Sequence, residues 1–242
     1  MANNPSKQNK NTDLLPVIET ITLSWEKVSG AKKTFWAAIG IFFVIAIAFQ
    51  FILSLVENVS VFISLLFSFA FLVVNFLLQG GLMYIGIVRA KGMPITYKLL
   101  FRAFNLDLAL KLIGVYILQI LVILIPEIIL IAVCPAIMAI SPLWFVLGVI
   151  LGIVALVAIV YLFVRMILSV AFVLDKELKP VDALKRSFCA TRSNIWNLIG
   201  LSFLQMLIII VSAIPLGIGL IWTLPLGMII YGMAYKKLSA NL

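Results

Sequence analysis

The sequence predicts an all-α polytopic membrane protein with six transmembrane helices arranged as three hairpins, each preceded by an amphipathic helix on the cytoplasmic surface. Three observations predict it. Hydrophobic residues fill 64% of the 242 positions and charged residues only 11%, where a soluble domain carries about a quarter charged. Uncharged stretches cover 34–56, 58–88, 112–126, 128–164 and 193–235, and about 20 apolar residues of helix cross the hydrocarbon core. All 18 basic residues fall into four groups, Lys7 to Lys33, Arg89 to Lys111, Arg165 to Arg192, and Lys236 with Lys237. With every group cytoplasmic, each stretch between groups crosses an even number of times. Backbone satisfaction in lipid demands helices, because the runs lack the turn-punctuated alternation of barrel strands.

The elements follow in order. Residues 1–14 are polar and lack the short apolar segment of a signal peptide, so a disordered cytoplasmic terminus is expected. The membrane domain covers 15–237, in units of about 15–88, 93–164 and 179–235, and 238–242 form a cytoplasmic tail. In LLPVIETITLSWEKV an apolar stripe of Ile18, Ile21, Trp25 and Val28 marks the first surface helix. Spans at about 35–56 and 59–88 follow, turning at ENVS. In MPITYKLLFRAF the stripe is Tyr97, Leu100, Phe101 and Phe104, with Lys98 and Arg102 beside it. Spans at 112–133 and 143–164 turn at CPAIMAISP, where two prolines interrupt the helical pattern. In KPVDALKRSF the stripe is Val181, Leu184 and Phe188, with Lys185 and Arg186 on the polar side. Spans at 195–213 and 217–235 turn around Pro215, Gly217 and Gly219. Pro16, Pro94 and Pro180 open the three surface segments, which suits a first helical position.

The second and third units echo each other. LIGVYILQIL at 112–121 returns as LIGLSFLQML at 198–207, matching Leu112 with Leu198, Gly114 with Gly200, and Gln119 with Gln205. The first unit retains Ile39 and Gly40 but has no glutamine in register. Membrane repeats of this kind often place functional sites where the repeats meet, and they also arise by duplication in architectural proteins.

Polar residues inside the spans are the functional candidates. Gln79, Gln119 and Gln205 lie roughly 12 to 15 Å from inner-edge polar ends at helical rise, a polar layer that either holds helices together or lines a solute path. Of these, helix association is the reading adopted. Glu127 is either a proton or cation site or a side chain reaching outer headgroup water, and the second is preferred. Arg165 stands about 31 Å below Trp144 at helical rise, which favours the inner boundary over the bundle interior. Gly148 and Gly152 suit close helix approach.

Function classes narrow accordingly. The chain has no histidine and two cysteines, Cys134 and Cys189, on opposite sides of the membrane in this topology, so no disulfide framework, metal site or cofactor is expected. Asp175, Glu177 and Asp182, interspersed with lysines, resemble a solvated turn rather than a catalytic cluster, and no enzyme activity is expected. The net charge of +9 flanks membrane segments instead of forming a soluble patch, which argues against nucleic acid. Anionic headgroups are the expected partners, met by Lys98, Arg102, Lys185, Arg186 and Arg192; a membrane-protein partner or homo-oligomer is compatible with the same surface. The expected role is to organise lipid or partner proteins at the cytoplasmic face, and the alternative is a transporter or lipid-translocating protein with a polar path.

The runs SWEKVSGAKKTFWAAIG, FVLDKELKPVDALKRSFCATRSNIWNLIG and LPLGMIIYGMAYKKL resemble a family of bacterial six-helix membrane proteins over about residues 17–237. That family includes the membrane domain of glycerophosphoryl diester phosphodiesterases and related uncharacterised inner-membrane proteins. The resemblance implies a multi-pass inner-membrane location with both termini cytoplasmic. It implies no catalytic residues, because the soluble phosphodiesterase barrel with its histidines and acidic metal ligands has no counterpart in these runs.

Overall fold

The computed structural model describes residues 14–56, 60–138, 142–214 and 217–240, with side chains described for all of these except 129–138 and 142–145. The chain is all-α among the described residues: α1 Val17–Val28, α2 Lys32–Val56, α3 Val61–Ala90, a 3-10 helix Tyr97–Phe104, α4 Leu106–Met138, α5 Pro142–Met166, α6 Ser169–Lys176, α7 Pro180–Thr191, α8 Ile195–Ala213 and α9 Leu220–Ser239. Most of the turn expected at ENVS, the Pro215 bend, the side chains of Cys134 and Trp144, and most of the polar amino terminus lie outside the described residues.

Among the described residues five stretches are long and apolar enough to cross a membrane, in α2, α3, α4, α5 running on into α6, and α8. The chain is therefore a multi-pass membrane protein. The sixth expected span, 217–235, overlaps α9, which is not among these five; its 20 residues include Thr223, Pro225, Tyr231, Tyr235, Lys236 and Lys237. Its lower hydropathy follows from its position, because α9 packs on α1, α2, α3, α7 and α8 and buries Leu226, Ile229, Ile230, Ala234, Tyr235 and Leu238. A helix surrounded by protein needs close-fitting small and polar side chains more than lipid solubility.

Core residues gather at the end of the spans nearest the basic segments. Phe35, Leu78, Ile85, Leu112, Phe172, Leu201 and Tyr235 are buried there, whereas Phe43, Phe51, Phe62, Phe69, Ile125, Val154 and Val211 further along their helices are exposed. Glycines let backbones touch in this core. A Cβ on Gly81 would stand 1.9 Å from the Leu100 carbonyl oxygen, and one on Gly86 would stand 2.1 Å from that of Met228, so α3 lies directly on the 3-10 helix and on α9.

The surface segments bury mainly small residues. In α1 the inward face is Thr20, Ser24 and Val28, while Ile18 is 76% and Trp25 51% exposed. In α7 the inward residues are Ala183, Ser187, Ala190 and Thr191, and Val181 is 51% exposed. Small residues four apart pack on the protein in both helices; of the apolar stripes Ile18, Trp25 and Val181 are exposed, Ile21, Leu184 and Phe188 are half-buried and Val28 is buried. The inward hydroxyls do not go unsatisfied: Thr20 Oγ1 donates to the Pro16 carbonyl at 2.7 Å and Ser24 Oγ to that of Thr20 at 2.6 Å.

The middle segment is a 3-10 helix instead of an α-helix, with Leu100 and Ala103 inward. At three residues per turn these two share a face, and Phe101 and Phe104 of the expected stripe are left 42% and 40% exposed. The prolines are also not equivalent. Pro180 occupies the first turn of α7 and Pro16 the N-cap of α1, whereas Pro94 precedes the N-cap residue Thr96 of the 3-10 helix.

Candidate functional site

The most elaborate polar structure in the membrane domain surrounds a break that the sequence pattern does not announce. Helix α5 stops at Met166 and α6 begins at Ser169, with Val170, Ala171, Phe172, Val173 and Leu174 all buried. Interrupting a helix exposes backbone groups that lipid cannot satisfy, so neighbours must supply partners. Three neighbouring helices and Ser169 of α6 itself do so. Gln119 Nε2 of α4 donates to the Met166 carbonyl at 3.2 Å and to Ser169 Oγ at 2.8 Å. Ser169 Oγ itself donates to the Met166 carbonyl at 2.7 Å. Tyr231 of α9 donates to the Ile167 carbonyl at 3.0 Å and accepts from the Ala171 N–H at 3.1 Å. Ser187 of α7 donates to the Arg165 carbonyl at 2.7 Å.

Below the break, α6 ends in a charged knot. Asp175 pairs with Lys91 at the end of α3 and accepts from Tyr235 of α9 at 2.8 Å. Its side chain is 13% exposed, so Asp175 is an internal ion-pair partner and not part of a solvated turn. Glu177, in the left-handed region at φ 52°, pairs with Arg102 at 2.8 Å. Arg89 closes the far end of α1, donating from Nε to the Lys27 carbonyl at 2.8 Å and from Nη2 to that of Ser29 at 2.7 Å, where a cation complements the helix dipole. Asn194 Oδ1 accepts from the Leu15 N–H at 2.6 Å and ties the amino-terminal segment to the start of α8.

The three glutamines occupy different environments. Gln119 staples the α5–α6 break, Gln205 lines a cavity of about 450 Å³ with Ser202, Thr223 and Tyr231 among mainly apolar neighbours, and Gln79 is exposed. No hydrogen bond joins them among the described residues. The echoed glycines differ too: a Cβ on Gly114 would meet Pro180 at 2.7 Å, and one on Gly200 would meet nothing within 4 Å. Gln119→Leu is expected to cost about 1 kcal/mol of stability, and Gln79→Leu to cost nothing measurable; thermal melting of the detergent-solubilised protein separates them.

The ionisable candidates are likewise distinct. Glu127 is half-buried on α4. Arg165 sits in the last turn of α5, with its guanidinium 4.9 Å from the Phe188 ring centroid and 5.9 Å from that of Tyr161. Of the five basic candidates, Arg102 is engaged by Glu177, while Lys98, Lys185, Arg186 and Arg192 are exposed. No group of three or more His, Cys, Asp or Glu side chains is gathered for a metal among the described residues.

Sequence reasoning missed Lys91, Tyr231, Tyr235, Ser169 and Arg89 and assigned Asp175 to a solvated turn. One signal was present: nine uncharged residues, MILSVAFVL, separate Arg165 from Asp175, too apolar for a cytoplasmic loop. No protein-family model, curated protein or solved structure matches the chain.

Proposed function

We propose that the chain is a non-enzymatic multi-pass protein of a bacterial inner membrane that organises anionic lipid or partner proteins at the cytoplasmic face. In this reading six spans form three hairpins, α9 completes the third, and both termini are cytoplasmic. The packing of α2 on α3, α4 on α5 and α8 on α9 supports the hairpins, and the resemblance to bacterial six-helix membrane proteins supports the location. The observation that carries the proposal is the outward amphipathic face of α7: Val181 and Leu184 lie beside exposed Lys185 and Arg186, the pattern of a helix resting in the headgroup layer. Helix α1 presents Ile18 and Trp25 in the same manner.

Lipid co-purification tests the proposal. Protein extracted from membranes with its annular lipid is expected to carry anionic phospholipid enriched over the bulk bilayer. A variant with Lys98, Lys185, Arg186 and Arg192 all changed to Gln should lose most of that enrichment, at about 1 kcal/mol per well-placed cation. Bound lipid that simply mirrors bulk composition would count against the proposal.

A second reading, transport or lipid translocation, has the α8–α9 cavity with Gln205 in its favour. Cysteines introduced at 79, 119 and 205 decide it. Labelling by a water-soluble reagent at 205 indicates a hydrated path, and uniform protection indicates a packed scaffold.

A further inference from the structure

Arg165 is placed oddly for a boundary cation. Its Nε and Nη1 are buried without a hydrogen-bond partner, and the rings of Phe188 and Tyr161 stand 4.9 and 5.9 Å from its guanidinium. An arginine has five N–H donors in a rigid fork, and burying them unpaired is costly. The same side chain lines a cleft of about 560 Å³ whose other walls include Lys185, Arg192, Val181, Leu184 and Phe188. Three cations thus converge on one recess with no carboxylate among its lining residues. Asp182 lines a neighbouring cleft with Lys185, Arg186 and Cys189.

An apolar groove lies nearby, with the Tyr161 ring on its wall 5.9 Å from the Arg165 guanidinium. Tyr161, one turn before Arg165, lines a groove of about 320 Å³ between α5 and α8, together with Val157, Val160, Ile195, Trp196 and Ile199. Trp196, in the first turn of α8 and on the groove wall, is 83% exposed, and exposed indoles favour the headgroup region of a bilayer. A bidentate guanidinium suits phosphate oxygens, and an apolar groove one turn away on the membrane side suits a hydrocarbon chain.

We propose that Arg165, Lys185 and Arg192 bind the phosphate of one anionic glycerophospholipid, with an acyl chain lying in the α5–α8 groove. The inference rests on the lipid-organising reading and narrows it from a basic surface to one built site. Arg165 contributes its positive charge at the wall of the recess, and the exposed Lys185 and Arg192 contact the phosphate and favour an anionic over a zwitterionic headgroup.

Cys189 lines the same cleft and is an exposed free thiol, which makes it a reporter of occupancy. The experiment uses the full chain with Cys134→Ser, reconstituted in nanodiscs of phosphatidylcholine with or without phosphatidylglycerol. The rate of Cys189 modification by an uncharged, water-soluble maleimide is measured, each variant being referred to its own rate in phosphatidylcholine. Phosphatidylglycerol is expected to slow modification roughly tenfold, the scale of a hydrogen bond to a charged group. Arg165→Gln should abolish the protection, as should Lys185→Gln, an exposed position whose change leaves the fold intact. Ile199→Trp, which fills the groove, should do the same, and Lys33→Gln, which removes an exposed charge elsewhere, should not.

Equal protection in wild type, Arg165→Gln and Lys185→Gln would overturn the site. If the wild type nevertheless enriches anionic lipid on purification, the broader reading survives that result; if it does not, the broader reading falls as well. Protection by inorganic phosphate in phosphatidylcholine alone, matching that by phosphatidylglycerol, would make this a free-phosphate site and overturn the lipid assignment.

Discussion

Asp175→Asn is expected to destabilise the detergent-solubilised protein by about 3 kcal/mol, the scale of breaking one side of a buried ion pair. The substitution keeps the shape and removes the charge, stranding Lys91, whose side chain is 31% exposed. It also weakens the acceptor of the Tyr235 hydroxyl. The three residues come from the ends of α3, α6 and α9, so this one carboxylate ties together elements that are far apart in sequence. Tyr235→Phe should cost less, about 1 kcal/mol, because it deletes one hydrogen bond and strands no charge. Lys91→Met combined with Asp175→Asn should be more stable than the sum of the single changes predicts, since neither charge is then left alone. Thermal unfolding followed by near-ultraviolet circular dichroism reads all four proteins. An Asp175→Asn protein within 0.5 kcal/mol of wild type, on the scale of an ordinary surface change, would mean that water already solvates the pair.

The membrane fold was legible because hydropathy and basic-residue placement act at long range along the chain and need no knowledge of packing. The expected span 195–213 coincides with α8, Ile195–Ala213, and 35–56 lies within α2, Lys32–Val56. Three things were hidden, each for a physical reason. The α5–α6 break is sustained by Gln119, Ser187 and Tyr231, residues of other helices, so nothing local marks it. Asp175 reads as solvated beside Lys176 and Lys179, and only its distant partners Lys91 and Tyr235 make it internal. The inward faces of α1 and α7 are made mainly of the small residues Thr20, Ser24, Ala183 and Ser187, which no hydropathy pattern singles out.

Gly86→Val is expected to be among the most damaging single changes, because it strikes a crossing where two backbones touch. A Cβ at Gly86 would lie 2.1 Å from the Met228 carbonyl oxygen of α9, and one at Gly232 would lie 2.4 Å from the Gly86 carbonyl oxygen of α3. The obstacle in each case is main chain, which cannot rotate away as the Leu112 side chain can from Gly80. Any side chain therefore forces α3 and α9 apart, opening gaps around Ile85, Ile229 and Ile230, which are at most 1% exposed. Overpacking of ordinary cores costs about 1 to 3 kcal/mol, and a helix displacement at this crossing belongs at or above the upper end. Gly232→Val should match it, and the double variant should cost much less than twice either one, because the first substitution already separates the helices. Gly40→Val and Gly200→Val, at positions where a Cβ meets nothing within 4 Å, should fold and melt close to wild type. Expression yield, size-exclusion profile and melting temperature of the five proteins supply the comparison. A Gly86→Val protein that elutes and melts like the Gly200→Val control would show that α3 and α9 do not meet at these glycines in the membrane.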